Sequence, residues 1–293
     1  MAVQTKGKKV LHGICFILSG IFLFFLFLYL GFPFETLKQR IIWELEAKTP
    51  FQYEIEDLHP YRLSGLAFKN VVISVPVDSK KLRVLSIEQC RITLWPIPLV
   101  WGKVSLRLWG EVLDGTLEGD FFRRGEHGEL TLSGKDVNLQ RVHIFREITD
   151  VEVEGVLEGK GRVAVKEGNI SEQSGSAEFV INEAIVRKLP LPGIAPLQVG
   201  RIQGSVDLKL GRVIIKRLTF SGGDLDGQVV GNILLNSPVS ESRINLRITI
   251  KPSSKFESRY RLFLSLLGQE GKTGDPYTFS LRGTMRHPRF VGK

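Results

Sequence analysis

The chain has 293 residues, of which 43% are hydrophobic and 24% charged, with a formal net charge of +9. This is the composition of a globular protein with an apolar excess concentrated at one end. The two cysteines, Cys15 and Cys90, fall in segments of different character, which excludes a disulfide framework. Lys and Arg residues are scattered rather than gathered in a stripe with interleaved aromatics, so we expect no nucleic-acid partner.

The N-terminal segment predicts a membrane anchor. Residues 10–34 contain no Lys, Arg, Asp or Glu, and about 20 apolar residues are enough to cross the hydrocarbon core. Lys6, Lys8 and Lys9 precede the segment, which predicts a cytoplasmic N-terminus. We therefore expect a cytoplasmic tail at 1–9, one transmembrane helix at 10–34 and a domain at 35–293 in the opposite compartment.

Two other roles for this segment are less consistent with the residues. A cleaved signal peptide ends in small residues, whereas Gly31 is followed by Phe32, Pro33 and Phe34. A lipoprotein signal places a cysteine after the apolar run, whereas Cys15 lies near its start. An uncleaved anchor fits the sequence better than either.

A helix and then a long series of strands follow the span. Leu37, Ile41, Ile42 and Leu45 recur at helical spacing, which predicts a helix at 35–48 that ends before Pro50. Beyond Pro50 the apolar residues alternate with polar ones. This alternation predicts strands at 51–56, 66–77, 82–87, 90–95, 103–109, 115–121, 129–133, 151–165, 176–186, 204–210, 213–220, 227–235, 243–251 and 277–285.

The clearest strand is 243–251, in which Ile244, Leu246, Ile248 and Ile250 point to one side and polar residues to the other. Such alternation is typical of antiparallel sheets with one solvated face. Only two later segments have helical spacing, at 139–148 and 256–267. The fold class predicted is mainly β, a long curved antiparallel sheet with a few short helices. Whether the sheet is continuous or divided into two packed halves is left open.

Glycines recur within the predicted strands. They include Gly115, Gly119, Gly155, Gly159, Gly204, Gly227, Gly231 and Gly283. Glycine inside a strand marks a bulge, a bend or a close backbone approach. We therefore expect the sheet to bend at these positions.

The sequence predicts no catalytic, cofactor or metal site. No Gly-x-Ser-x-Gly motif occurs, and the five histidines are isolated from one another. Asp224 and Asp226 stand beside Gly222 and Gly223, a combination that predicts a hairpin turn rather than a metal site. Three tryptophans, at 95, 101 and 109, cluster around Pro96 and Pro98, and we expect them to pack in a core or turn rather than form a ligand surface.

Several segments resemble known membrane-anchored proteins. The span, the amphipathic helix, and the strands running from Thr49 to Ile55 and from Leu63 to Ser74 resemble the opening of AsmA-like proteins. The later part comprises the run from Leu189 to Gly193, the strands with glycines from Gly204 to Asn232, the helix from Phe256 to Gly268 and a closing pattern from Tyr277 to Phe290. This closing pattern is similar to the type II secretion system protein N family, which is itself AsmA-like. The resemblance implies a bacterial inner-membrane protein with a periplasmic curved sheet, shaped as a partly open barrel or trough, and no catalytic residues.

Two functions are consistent with this resemblance. The first is a non-enzymatic component of a type II protein secretion system that docks other secretion-system subunits. The second is a lipid-binding or phospholipid-transfer module that uses an apolar sheet face. An enzyme is the least favoured function. The residues predicted to contact a partner or a lipid are Ile244, Leu246, Ile248, Ile250, Arg282, Arg286 and Arg289.

Overall fold

The computed structural model describes residues 31–292, except 50, 63, 78–79, 143–151, 167–173, 189–195, 237–240, 255, 257 and 259–275, together with residues 16, 19, 20, 23 and 27. Within this described part, no helix combines the length and the apolar character needed to cross a bilayer. The predicted tail at 1–9 and most of the span predicted at 10–34 lie outside the described residues.

The described chain forms one fourteen-stranded antiparallel sheet, which confirms the mainly-β prediction. Each strand pairs with the strands before and after it in the sequence, so the sheet is a continuous meander rather than two halves. The strands are β1 (Gln52–Tyr61), β2 (Gly65–Val77), β3 (Lys80–Leu94), β4 (Lys103–Val112), β5 (Gly115–Arg124), β6 (His127–Asn138), β7 (Glu152–Lys166), β8 (Ser174–Lys188), β9 (Leu197–Lys209), β10 (Arg212–Ser221), β11 (Leu225–Leu234), β12 (Arg243–Pro252), β13 (Tyr277–Thr284) and β14 (Pro288–Gly292).

Helix α1 (Phe34–Lys48) confirms the predicted helix and covers the first strands of the sheet. Its residues Leu37, Ile41 and Ile42 pack against a core cluster that includes Ile55 and Leu58 of β1. The cluster continues into β2 through Phe68 and Val71 and into β3 through Ile87 and Cys90. The apolar side of the amphipathic helix thus removes one end of the sheet's apolar surface from water.

A line of irregular positions crosses β1, β2 and β3. Each of these strands has two consecutive polar residues between its apolar ones, at 56–57, 69–70 and 88–89. Asn70 has a left-handed backbone with φ of 49°, and the pairing of β3 with β4 shifts between Ile87 and Gln89. Extra residues at these points keep the apolar side chains before and after them in the same core cluster.

These irregular positions explain two differences from the predicted strands. Residues 82–87 and 90–95 were expected as separate strands, but both belong to β3, because the polar pair Glu88-Gln89 is a bulge rather than a turn. For the same reason β1 continues to Tyr61, past the expected end at residue 56. The short edge strand β14 was not predicted, since its five residues include a proline and an arginine.

The later helices are only partly described. A 3₁₀ helix at Leu139–Arg141 occupies the start of the segment predicted at 139–148, whose residues beyond 142 lie outside the described part. In the segment predicted at 256–267, Phe256 and Ser258 are helical, and residues 259–267 lie outside the described part. A further helical turn, α2 (Pro96–Leu99), joins β3 to β4 and was not predicted.

The predicted bends at glycines are correct in part. The pairing of β7 with β8 shifts at Gly155, between Glu154 and Val156. At Gly119 and Gly227, by contrast, the pairing is regular on both sides. Several bulges instead involve other residues with left-handed backbones, such as Asp136 and Glu183. Polar side chains tolerate this conformation when the neighbouring strand holds it.

Gly231 in β11 is a position where only glycine fits. Its φ is 142°, and a Cβ added there would lie 2.2 Å from the backbone oxygen of Asn245 on β12. The glycine therefore allows β12 to approach closely.

We predict that Gly231→Ala lowers the free energy of unfolding by roughly 1–3 kcal/mol, because the new side chain is strained by both the backbone angle and the contact. Gly161→Ala is the matched control, since its Cβ would meet nothing closer than the Ala177 Cβ at 3.6 Å. Denaturant unfolding followed by circular dichroism measures both variants. An equal decrease in the free energy of unfolding in the two variants would contradict this account of Gly231.

Candidate functional site: the apolar face of the sheet

One row of directly paired residues crosses all fourteen strands without a polar side chain. We call it the apolar row. It consists of Pro60, Leu66, Ile92, Leu108, Gly119, Leu132, Gly161, Ala177, Val206, Ile215, Gly231, Leu246, Leu281 and Phe290. Because successive side chains of a strand point to opposite faces, these residues define one apolar face of the sheet.

The adjacent row lies on the opposite face and is mostly polar. We call it the polar row. Its successive partners are His59, Ala67, Arg91, Trp109, Glu118, Ser133, Lys160, Glu178, Ser205 and Arg217. The contrast between the two rows shows that the alternation in each strand is kept in register with its neighbours.

The apolar face is only half-buried along the middle of the sheet. In β4 to β10 most of its large side chains have intermediate exposure, whereas Val112 is buried. Those with intermediate exposure include Leu106, Leu108, Leu117, Phe121, Leu130, Leu132, Leu157, Val163, Phe179, Ile181, Ile202, Val206, Ile215 and Leu218. Single exposed apolar residues are ordinary on a protein surface, whereas a contiguous apolar patch of this extent marks an interaction site.

The face is better covered at its two ends. At the first strands, α1 packs over Ile55 and its neighbours. At the other end, Phe256 is buried against Ile250 and Tyr277. Among the described residues, these two ends hold the only clusters built on buried apolar side chains.

The four predicted apolar residues of β12 lie on this face. Ile244, Leu246 and Ile248 are half-buried, while Ile250 is buried beneath Phe256. Leu246 itself belongs to the apolar row. The segment after β12 therefore covers Ile250, at one end of the strand, and leaves the remaining three residues partly accessible in the described structure.

The three predicted arginines meet at the hairpin formed by β13 and β14. Arg282 and Arg289 are direct cross-strand partners, and Arg286 lies in the bend between the strands. All three are exposed. This hairpin therefore carries concentrated positive charge at the last edge of the described sheet. Like charges placed directly opposite each other repel.

The tryptophans at 95 and 101 are exposed, which contradicts the expectation that they pack in a core or turn. Trp95 exposes 49% and Trp101 68% of its surface, and both flank the helical turn α2. Trp109 instead lies on the polar face, where the Arg91 guanidinium is 4.5 Å from its ring centroid. The relevant signal in the sequence is that residues 95–101 are apolar without alternating.

The polar face holds a hollow that the sequence analysis missed. Its volume is about 550 Å³, and it crosses β6 to β10. Charged side chains of both signs line it, among them Lys135, Glu158, Lys160, Glu178 and Arg217. Nothing in the alternation of single strands indicates such a hollow, because it depends on how neighbouring strands are arranged.

The shifted ionisable groups have structural causes. Hydrogen bonding to the Lys216 ammonium lowers the pKa of Asp207, and the bond to Arg187 lowers the pKa of Glu154. Burial raises the pKa of the Cys90 thiol, which packs against the first core cluster.

Within the described residues, no group of three His, Cys, Asp or Glu side chains could hold a metal ion. Asp224 instead accepts a hydrogen bond from the Gln198 backbone, and Asp226 one from the Gly222 backbone, as expected for turn residues.

Asp207 provides a test of this electrostatic account. Its carboxylate is 2.8 Å from Lys216 Nζ and 3.7 Å from Lys209 Nζ. Because its pKa is lowered on folding, its contribution to stability is complete above the usual aspartate pKa of about 3.9 and is lost as the pH falls through the lower folded value.

We predict that Asp207→Asn lowers the melting temperature at neutral pH, and that the difference from the wild type shrinks below about pH 4. Asp120→Asn is the matched control, because the ion pair of Asp120 with Arg107 is exposed on both sides and contributes little. Thermal unfolding across pH measures both variants. A decrease in the melting temperature of Asp207→Asn that is independent of pH would contradict the role of the carboxylate charge.

Comparison with known proteins adds no relative. No protein-family model matches the chain, and no curated protein and no solved structure matches it significantly. The resemblance to the type II secretion system protein N family and to AsmA-like proteins therefore stays a prediction from the sequence.

Proposed function

We propose that the protein is a non-enzymatic, AsmA-like membrane protein that binds the acyl chains of phospholipids along the apolar face of its sheet and transfers lipid along it. The predicted span at 10–34 anchors the sheet at the bacterial inner membrane, with the sheet in the periplasm. The sheet in this proposal is a trough whose apolar face receives the lipid.

The apolar row is the observation that carries the proposal. Fourteen strands spaced about 4.8 Å apart give an apolar path of roughly 60 Å. Burying apolar surface is favourable by about 25 cal/mol per Å², so a partly exposed apolar path of this length favours an apolar occupant. An acyl chain is a suitable one, because it has no polar groups that need hydrogen-bond partners on this face.

The distribution of glycine supports the same occupant. Gly119, Gly161 and Gly231 lie in the apolar row itself, between strands that contribute Leu, Ile or Ala. None of these positions adds a polar side chain to the path, and glycines also allow a sheet to bend. The described coverings, α1 and Phe256, lie at the ends of the path rather than over its middle.

We predict that photoreactive benzoylphenylalanine at Leu132 or Val206 forms adducts with phospholipid, because both residues lie in the apolar row. Ser133 and Ser205 are the matched controls, since they are the sequence neighbours on the polar row and should give few adducts. The measurement uses the full chain in Gram-negative cells with radiolabelled phosphate. Equal labelling at the two pairs of positions would contradict lipid binding on this face.

A second candidate function is docking to other type II secretion subunits, and the last hairpin favours it. Among the described strands, β14 pairs only with β13, so it offers an edge to which a partner strand could be added. Val291 on this strand is 45% exposed. The exposed positive charge of Arg282, Arg286 and Arg289 suits an acidic partner.

We predict that reversing the charge of all three arginines to Glu leaves the melting temperature nearly unchanged, because the side chains are exposed. Single Arg282→Glu is the control, since it places opposite charges on paired positions and should stabilise the hairpin by about 0.2–1 kcal/mol. If docking is the function, the triple variant also loses cross-links from a photoreactive group at position 291 to other secretion subunits. Unfolding of the triple variant would show that the arginines are structural.

A further inference from the structure

The loop between β3 and β4 presents a compact apolar cluster to solvent. Trp95, Ile97, Leu99, Val100 and Trp101 expose 49, 63, 43, 80 and 68% of their surfaces. Residues 95–102 contain no charged side chain. Exposed aliphatic and tryptophan side chains on one short loop are costly in water and suit the boundary between lipid headgroups and acyl chains.

The backbone of this loop is closed by hydrogen bonds. Trp95 N donates to Ser105 O at 2.9 Å, which joins the two ends of the loop. Trp101 N donates to Pro98 O at 3.0 Å, and Gly102 N donates to Leu99 O at 2.9 Å. A closed turn therefore holds the apolar side chains outward, and their exposure is a feature of the fold.

Helix α1 shows from which end of the sheet the preceding chain comes. Lys38 Nζ donates to Glu56 O at 3.2 Å, and Tyr53 N donates to Glu46 Oε1 at 3.1 Å. The helix therefore runs antiparallel to β1, and its first residues lie toward the Tyr61 end of that strand. Phe34 lies about 6 Å further along the helix axis than Lys38, in that same direction.

The apolar loop lies at this same end of the sheet. Leu94, the last residue of β3, donates its N–H to Ser64 O at 3.0 Å, and Ser64 Oγ donates to Leu94 O at 2.7 Å. Ser64 belongs to the turn that follows Tyr61. Three inter-strand spacings of about 4.8 Å separate β1 from β4, so the loop lies roughly 15 Å or less from β1 across the sheet.

Basic residues surround the loop at this corner. Arg62 lies in the turn after β1, Lys103 begins β4, and Arg123 and Arg124 end β5. Lys103 and Arg124 are direct cross-strand partners. Positive side chains beside an apolar loop suit a bilayer that contains anionic lipids, in which the phosphates meet the cations while the loop enters the apolar region.

We propose that residues 95–101 insert into the periplasmic surface of the same bilayer that holds the predicted anchor. This inference rests on the proposed anchoring and extends it, because it gives the domain a second attachment to the membrane. Arg62, Lys103, Arg123 and Arg124 contact anionic headgroups around the inserted loop. The two attachments hold the first corner of the sheet, where the apolar face begins, against the bilayer that supplies the lipid.

Tryptophan fluorescence tests the inference in the full chain. The chain has four tryptophans, so Trp43→Phe with Trp109→Phe leaves only Trp95 and Trp101. This variant is reconstituted into vesicles of phosphatidylethanolamine and phosphatidylglycerol, with acyl chains either brominated or not. We expect emission at least about twofold weaker in the brominated vesicles, because interfacial tryptophans lie beside acyl chains.

The control variant keeps Trp109 alone, through Phe at positions 43, 95 and 101. Trp109 is stacked against Arg91 on the polar face and should be equally bright in both kinds of vesicle. Flotation of the vesicles tests the anchor separately. Chains that float with unquenched Trp95 and Trp101 would overturn the loop inference alone and would point to a protein partner, whereas chains that fail to float would overturn the anchor and the loop inference together.

Discussion

The structure depends on keeping the apolar and polar alternation in register between neighbouring strands. A shift of one residue in any pair would turn one strand's apolar side chains to the polar face. The apolar row from Pro60 to Phe290 shows that this register holds across fourteen strands. Where extra residues occur, as at Asn70 and Glu88, the bulges fall between apolar residues and restore the same face on either side. The bulges thus preserve the surface on which the proposed lipid binding is based.

The sheet has its best-buried clusters at its ends and a half-buried face in its middle. Helix α1 and Phe256 protect the first and last parts of the apolar face. Between them, stability in the described chain comes from cross-strand contacts and backbone hydrogen bonds within a single layer. The middle of the sheet is therefore stabilised by contacts within the layer. Examples are the close approach of β12 to Gly231 and the ion pair of Asp207 with Lys216.

Most of the strands could be predicted from the sequence because alternation is a local signal. The strand at 243–251 shows this best, since every second residue is aliphatic and its partners on β11 and β13 follow the same pattern. The polar pair Glu88-Gln89 predicts a break although it is a bulge within β3, because a bulge and a turn give the same sequence pattern until the partner strand is known. The exposure of Trp95 and Trp101 could not be predicted, since apolar side chains indicate burial unless the fold places them beyond the sheet. The hollow at Lys135, Glu158 and Arg217 is likewise a property of several strands together.

The meander also bears on how the chain acquires its structure. Each described strand pairs only with its immediate neighbours in sequence, so no pairing within the described sheet joins distant parts of the polypeptide. Short-range topology of this kind lowers the entropic cost of each closure and favours rapid assembly. The polypeptide can therefore add one hairpin at a time to the growing sheet. At the growing end of the sheet, the exposed strand edge is the most recent one, and it is covered as soon as the next strand arrives.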